Sequence, residues 1–423
     1  MAAGAAGSSL VQAFTALAAQ AATGVPLVEV AAAGYGPLVA AGPDLFLPAG
    51  FRAVELTRTG TPMTNGAPTP DRPDGMGAFP DPSGGVRLVR NHEMKDPGTA
   101  FGSPGLAYDA KGMGGTTTLV FDPATERITT SFVSLGGTVA NCNGGPTPWG
   151  SWLTCEETRV DTTKGFGQKH GYIFEVPAAA DTQVTAPPLR AMGRFIHEGV
   201  SVDPATGTLY LTEDLGTCGF FRFVPRTPGR LVDGGSLQML AVTGRPQADL
   251  RKGQTVGAVM ACSWVTVDKP EVFPSCYKQG LAKGGATFAR GEGCWFSGGE
   301  AVFTATTGGN AGAGQLWRFR PTSANGGELS LVYESPRAGF LKGPDHVIVS
   351  PRGGTLFCED NGTHNKVWGL SPDGVLFTFA RHRLGSAEFC GACFSPDGAW
   401  LFMNIQTPGV TYAITGPWTN GSL

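Results

Sequence analysis

Short apolar runs bounded by polar or glycine-rich turns recur along the chain: TTLVFDP (117–123), GYIFEVP (171–177), GFFRFVP (219–225), GQLWRFR (314–320), KVWGLSPDG (366–374) and VTYAITGP (410–417). Their length and their β-branched and aromatic content predict β-strands. With Val120, Ile173, Phe221, Leu316, Val367 and Tyr412 as marks of phase, the gaps are 53, 48, 95, 51 and 45 residues. Turn phrases keep the same rhythm in VDPATGTLYL (202–211), VSPRGGTLFC (349–358) and FSPDGAWLFM (394–403). A period of this size built from short strands predicts one four-stranded blade per repeat of a β-propeller. The six marks therefore predict an all-β, six-bladed β-propeller with inter-blade insertions. The doubled gap holds an insertion over 245–285 or, as the alternative, a degenerate seventh blade.

The repeat also aligns acids. In register with WLTCEE (152–157) lie LYLTED (209–214), TLFCED (355–360) and LFMNIQ (401–406). Equivalent strand ends of a propeller converge at one mouth of its channel. Glu156, Glu157, Glu213, Asp214, Glu359, Asp360 and Gln406 are thus expected to form a polar ring. Acids gathered this closely repel one another unless cations neutralise them. The stretch Asn141 to Glu157, NCNGGPTPWGSWLTCEE, adds a thiol, a close-approaching glycine pair and a proline-fixed turn. A thiol with carboxylates suits a first-row metal, whereas all-oxygen clusters suit calcium.

Composition narrows the partners. With 15% charged residues, a net charge of −3 and no basic cluster, nucleic acid is not an expected partner. The content of 64 glycines and 32 prolines fits many tight turns between strands. The nine cysteines are an odd number and too scattered for a disulfide scaffold; Cys390 and Cys393, in CGAC, are read as structural, bonded or free. Residues 1–48 form an apolar segment that reads as the remnant of an export leader, which predicts a periplasmic or secreted protein. Residues 49–423 form a single propeller domain, and no run is long and apolar enough to place the chain in a bilayer. Trp149, Trp152, Trp317, Trp368 and Trp400 recur at strand positions and are read as packing between blades.

Seven stretches carry a family resemblance: RNHE (90–93), NCNGGPTPWGSWLTCEE (141–157), GRFIHEG (193–199), LTEDLG (211–216), ARGEG (289–293), KGPDHVIVSPRGGTLFCED (342–360) and CFSPDGAWLFMNIQTPGVTYAITGPW (393–418). On them the chain resembles the PhoX-type alkaline phosphatases, exported bacterial phosphomonoesterases with a β-propeller fold. The resemblance implies a centre of iron (Fe3+) and calcium (Ca2+) that hydrolyses small phosphate esters, and we expect a monomer. Carried over, it makes Cys142 an iron thiolate ligand, and Glu157, Glu198 and Glu292 carboxylate ligands of the irons. Arg290 faces the phosphate as the catalytic arginine, and calcium is held among Asn91, Glu93, Glu213, Asp214, Asp345, Glu359 and Asp360. His92 and His197 each precede a glutamate of this set, so strand alternation turns them away from it. No GxSxG or Ser-His-Asp pattern offers another nucleophile. The alternatives are a calcium-dependent propeller lactonase or phosphotriesterase, and a non-enzymatic binding propeller. Cys142 separates them, because a calcium-only centre has no use for a thiolate.

Overall fold

The computed structural model describes residues 34–423 except 273–274, 337–340, 363–364 and 384, so most of the expected leader segment lies outside the described residues. The chain is all-β in a propeller-like arrangement of antiparallel meanders. A four-stranded sheet runs Pro73–Pro80, Val86–His92, Gly114–Asp122, Arg127–Thr138, and a three-stranded sheet follows with Asn141–Pro146, Ser151–Glu156 and Ile173–Pro177. Two further meanders, starting at His197–Val202 and at Gly291–Ser297, belong to one nine-stranded sheet. A six-stranded sheet starts at Pro344–Val349 and a four-stranded one at Phe389–Phe394.

Each meander opens with a buried strand near the axis, and these opening strands touch one another in order around a closed ring. Glycines permit the close approach. A Cβ on Gly75 would strike the backbone at Cys142 and Asn143, one on Gly145 would strike Val200 O, and one on Gly293 would strike Asp345 O. The ring shuts because Arg52–Arg58, from the N-terminal side, pairs with Val410–Thr415 near the C-terminus. The core lies between facing sheets: Leu153 and Ile173 pack with Leu209 and Phe221, and Leu88 and Leu119 pack with Phe402 and Ala413.

All six phase marks fall on the third strand of a meander, which explains the constancy of their spacing. The separate four-stranded sheets expected from the repeat need correction, since the described residues form five sheets of unequal size. In the nine-stranded sheet the cause is the segment over 245–285. It contributes the strand Val259–Thr266, which pairs with both Gly235–Val242 and Gly326–Glu334 and fuses two meanders, and then the helix Cys276–Ala282. On the N-terminal side of the expected boundary at 48/49, Leu45–Pro48 pairs with Leu376–His382, and Leu38–Ala40 extends that sheet. Among the described residues, no helix is long and apolar enough to cross a membrane.

Candidate metal centre

The centre is built by one local device repeated around the ring. Each opening strand pairs with the second strand of its meander through a β-bulge in which two residues oppose one. Pro73 pairs with His92 and Met76 with Arg90, so Asp74 and Gly75 share the place opposite Asn91. The same slip puts Cys142 opposite Cys155, Glu198 opposite Thr212, Glu292 opposite Thr304 and Asp345 opposite Cys358. In the last meander the equivalent residue is Gly391, opposite Met403. A bulge re-aims a side chain, and here it gathers acids and a thiol at one mouth of the channel.

The residues opposite the bulges tie neighbouring meanders together. Asn91 Nδ2 donates to Cys142 O (2.9 Å) and Asn143 O (2.8 Å), and its Oδ1 accepts from Trp152 Nε1 (2.9 Å). Thr212 Oγ1 donates to Glu292 O, and Thr304 Oγ1 to Asp345 O (3.1 Å). Each tie fixes the backbone of the next acid or thiol in the ring.

Three groups of donor atoms result, each with its atoms within 4.8 Å of one another: Glu93, Cys142 and Glu157; Glu198, Glu292 and Asp345; and Asp74, Glu388 and Cys390. Cys142 Sγ lies 3.4 Å from Glu198 Oε1, which joins the first two groups. Burial pushes the carboxyls of Glu198 and Glu292 well above the usual range, and the neighbouring charge of Asp345 pushes them further. Burial and then Glu93 do the same to Glu157, and burial and then Asp74 to Glu388. The Cys142 thiol is also pushed up, by burial first and then by Asp74 and Glu198.

Two side-chain cations reach these acids. Arg290 donates from Nε to Asp214 Oδ1 (2.8 Å) and from Nη2 to Asp214 Oδ2 (3.0 Å), and its Nη2 is 2.5 Å from Glu292 Oε1. Its backbone sits at φ 50°, a left-handed conformation costly for a side-chain-bearing residue. Hydrogen bonds from Arg290 N to Leu215 O (2.8 Å) and from Thr306 N to Arg290 O (2.9 Å) hold it there. Lys95 Nζ lies 2.6 Å from Glu93 Oε1 and 3.3 Å from Glu157 Oε2.

The donor set fits metal ions. Repulsion among buried carboxylates is relieved by cations, and Asn143 Oδ1, next to Cys142, is a buried acceptor with no hydrogen-bond donor.

The structure thus brings together Cys142, Glu157, Glu198, Glu292, Glu93 and Arg290. Asn91 holds the Cys142 loop through Nδ2, and its Oδ1 accepts one bond, from Trp152. Glu359 likewise accepts from Lys342 N (2.8 Å), Lys366 N (3.1 Å) and Asn361 Nδ2 (3.2 Å), which makes it an anchor for its loop. Glu213 lies outside the three groups, and burial pushes its carboxyl up to about 8. Asp360 also lies outside them, raised by burial and then by Asp345. The expected ring member Glu156 is buried away from the groups, accepting from Val139 N (2.9 Å), Gly171 N (2.7 Å) and His170 Nδ1 (2.6 Å). Gln406 bridges two groups by donating to Asp74 Oδ2 (2.7 Å) and Glu93 Oε2 (2.9 Å). His92 and His197 are buried in packing roles, bonded to Asp71 O (2.8 Å) and Gly193 O (3.0 Å).

Sequence reasoning missed Asp74, Glu388 and Cys390 as potential ligands. For Asp74 the signal was present as an acid followed by glycine or histidine at the start of four of the six opening strands: PDG (73–75), HEG (197–199), GEG (291–293) and PDH (344–346). All nine cysteines are free thiols, including Cys142, Cys155 and the CGAC pair.

Further along the same strands the channel is apolar, with a cavity of about 220 Å³ bordered by Met76, Trp152, Cys294, Ile348 and Cys393. A polar crossbar separates it from the acids. His346 Nε2 donates to Ala392 O (2.9 Å), so Nδ1 accepts from Asn143 Nδ2 (3.0 Å). Burial keeps this imidazole neutral by lowering its pKa.

The sequence profile of the family described as Alkaline phosphatase PhoX matches residues 33–127 and 113–409. Among solved structures, the chain is similar to Pseudomonas fluorescens PhoX in complex with vanadate, a transition state analogue. That match has a TM-score of 0.71 at 17% identity and covers 94% of this chain and 99% of that one. A gluconolactonase from Xanthomonas campestris matches with a TM-score of 0.47 at 14% identity, over 90% of this chain and 98% of that one. No curated protein matches the sequence. With the family profile spanning the opening strand of every meander, this chain belongs to the PhoX alkaline phosphatase family.

Proposed function

We propose that the protein hydrolyses phosphate monoesters at an iron and calcium cluster in the mouth of a propeller whose meanders count as six blades. The observation that carries this reading is the meeting of one thiol with acids from different meanders, alongside an arginine held by Asp214 and Glu292. Cys142, Glu157, Glu198 and Glu292 would hold the iron, since a thiolate among carboxylates suits a first-row metal. Asp345, Glu93 and Asp74 would supply oxygen ligands for calcium. Bound metal ions supply charge neutralisation and activation of water for an in-line displacement.

The chain's own residues do the rest. Asp214 grips Arg290 through Nε and Nη2, which leaves Nη1 to donate to a phosphate oxygen. That donor stabilises charge on the equatorial oxygens without reorganising during the reaction. Lys95, already drawn to Glu93 and Glu157, is placed to screen an incoming dianion. In the net reaction a water oxygen joins phosphorus, the bond to the alcohol oxygen breaks, and the alcohol leaves with a proton from water. The vanadate-bound relative supports phosphoryl transfer as the chemistry. A lactonase using calcium alone fits less well, because it leaves the Cys142 thiol among the carboxylates without a role. We further propose export to the periplasm or medium, action as a monomer, and small phosphate esters as substrates.

Elemental analysis with a chelation assay tests the reading. The purified protein is expected to carry iron and more than one calcium, to lose phosphomonoesterase activity on chelation and to regain it with calcium. Full activity in metal-free protein would sink it.

A further inference from the structure

A cleft of about 570 Å³ lies beside Arg290, lined by Gly216, Asp249, Arg251, Lys252, Ala289 and Thr307. Its floor and the support of Arg290 are the same backbone. Ala289 precedes Arg290, Gly216 follows the Leu215 carbonyl that Arg290 N bonds, and Thr307 follows Thr306, whose N–H donates to Arg290 O. A molecule seated there lies against the backbone that holds Arg290 in place.

The outer wall comes from the segment that interrupts the repeat, and it is firmly attached. Leu250 N donates to Thr287 O (2.9 Å), Gly309 N to Arg251 O (2.8 Å), and Gly253 N to Asn310 Oδ1 (3.0 Å). Arg251 is neutralised by Asp249, with Nη2 to Oδ2 at 2.6 Å, and also donates from Nη1 to Thr217 Oγ1 (3.1 Å). Lys252 is exposed and has no ion pair among the described residues. The cleft is therefore polar, of a size that accepts a small molecule, and carries one uncompensated positive charge at its edge.

We propose that this cleft is the leaving-group subsite, and that it selects phosphate esters whose alcohol portion is polar and bears a second anionic group, such as a sugar bisphosphate. The inference rests on the phosphatase reading and adds a substrate class to it. An apolar leaving group would gain nothing from walls made of Asp249, Arg251, Lys252 and Thr307. A second phosphate on the alcohol would meet the Lys252 ammonium while the scissile one meets Arg290.

The test compares kcat/KM for glucose 1,6-bisphosphate and glucose 1-phosphate on the metal-loaded enzyme. The wild type should prefer the bisphosphate, and the preference should weaken as salt rises. Lys252→Glu should lower the ratio about tenfold and Lys252→Ala about threefold, as expected for gain or loss of one exposed charge contact. Lys164→Glu, the same charge reversal on a distant loop, should leave the ratio unchanged. A wild-type ratio of one or less, or an equal ratio in Lys252→Glu, overturns the subsite while leaving the phosphatase reading intact. Failure to turn over either ester overturns both.

Discussion

The two ends of the opening strands make the most instructive comparison. At the first end, Asp74, Cys142, Glu198, Glu292 and Asp345 gather in groups that could hold metal ions. Two residues on, Met76, Cys294 and Val347 belong to apolar packing or border the apolar cavity. In a regular strand, residues two apart share a face. The bulge breaks that rule by placing two residues opposite one, so acid and hydrophobe can part company within one turn of the pleat. The crossbar of Asn143 and His346 then marks the boundary between the two chemistries. A short irregularity, repeated around the ring, thus separates a reactive mouth from an apolar channel.

The largest expected effect of breaking the charged end is Cys142→Ala. Phosphatase activity should fall by roughly three orders of magnitude or more, since the ions and the charge they neutralise depend on this ligand. Iron content and visible absorbance should fall with it, while circular dichroism stays native. Its control is Cys155→Ala, across the bulge in the apolar core, which should leave kcat/KM within about twofold by the same assay. Equal losses in both variants would contradict the separation of ligand from packing residue.

Arg290→Ala comes next, with kcat/KM for a simple monoester reduced by roughly 10² to 10³ and metal content retained. Loss of metal in this variant would show that the arginine holds the cluster together and does not act on substrate. At the apolar end the effect should fall on stability. Ile348→Ala removes a side chain that is 1% exposed and should cost about 2–4 kcal/mol in denaturant unfolding, with kcat/KM within about threefold. A large loss of activity there would erase the distinction between the two ends.

The smallest effect concerns His170, which links the Glu156 carboxylate to that of Asp109. Burial alone would lower its pKa, but the hydrogen bonds and charges of Glu156 and Asp109 outweigh burial and hold it above the ordinary 6.5. A group raised in the folded state contributes fully below its unfolded pKa and loses that contribution as pH rises through the folded value. His170→Gln should therefore cost about 2 kcal/mol at pH 6, and the gap to wild type should narrow as pH rises above 6.5. A Tm difference that widens with pH would mean the imidazole is neutral in the folded protein.

Much of this was legible in the residues. The six apolar phrases sit on third strands, one in each meander, so apart from the gap that holds the inserted segment their spacing is nearly constant. Cys142 was legible as a thiol beside glycines and acids, whereas Glu198 and Glu292 were legible only through the family resemblance of GRFIHEG and ARGEG. Asn91 and Glu359 mark the limit of that reading. A strand-end amide or acid looks the same in sequence whether it turns to the mouth or to a neighbouring backbone. Glu388 stayed hidden because an isolated acid beside alanine gives no local sign of distant partners.

By itself, the sequence determined what local chemistry can encode: strand identity, the period of the repeat, and the presence of a thiol and acids suited to metal. Only the tertiary structure decided which acids meet. The grouping depends on bulges set by cross-strand register and on a ring closed between Arg52–Arg58 and Val410–Thr415, residues near opposite ends of the chain. The bridging strand Val259–Thr266 was likewise decided in three dimensions, where two sheet edges both offered it unpaired backbone groups. Periodicity reports what each residue does to its neighbours in sequence; the site is made by neighbours in space.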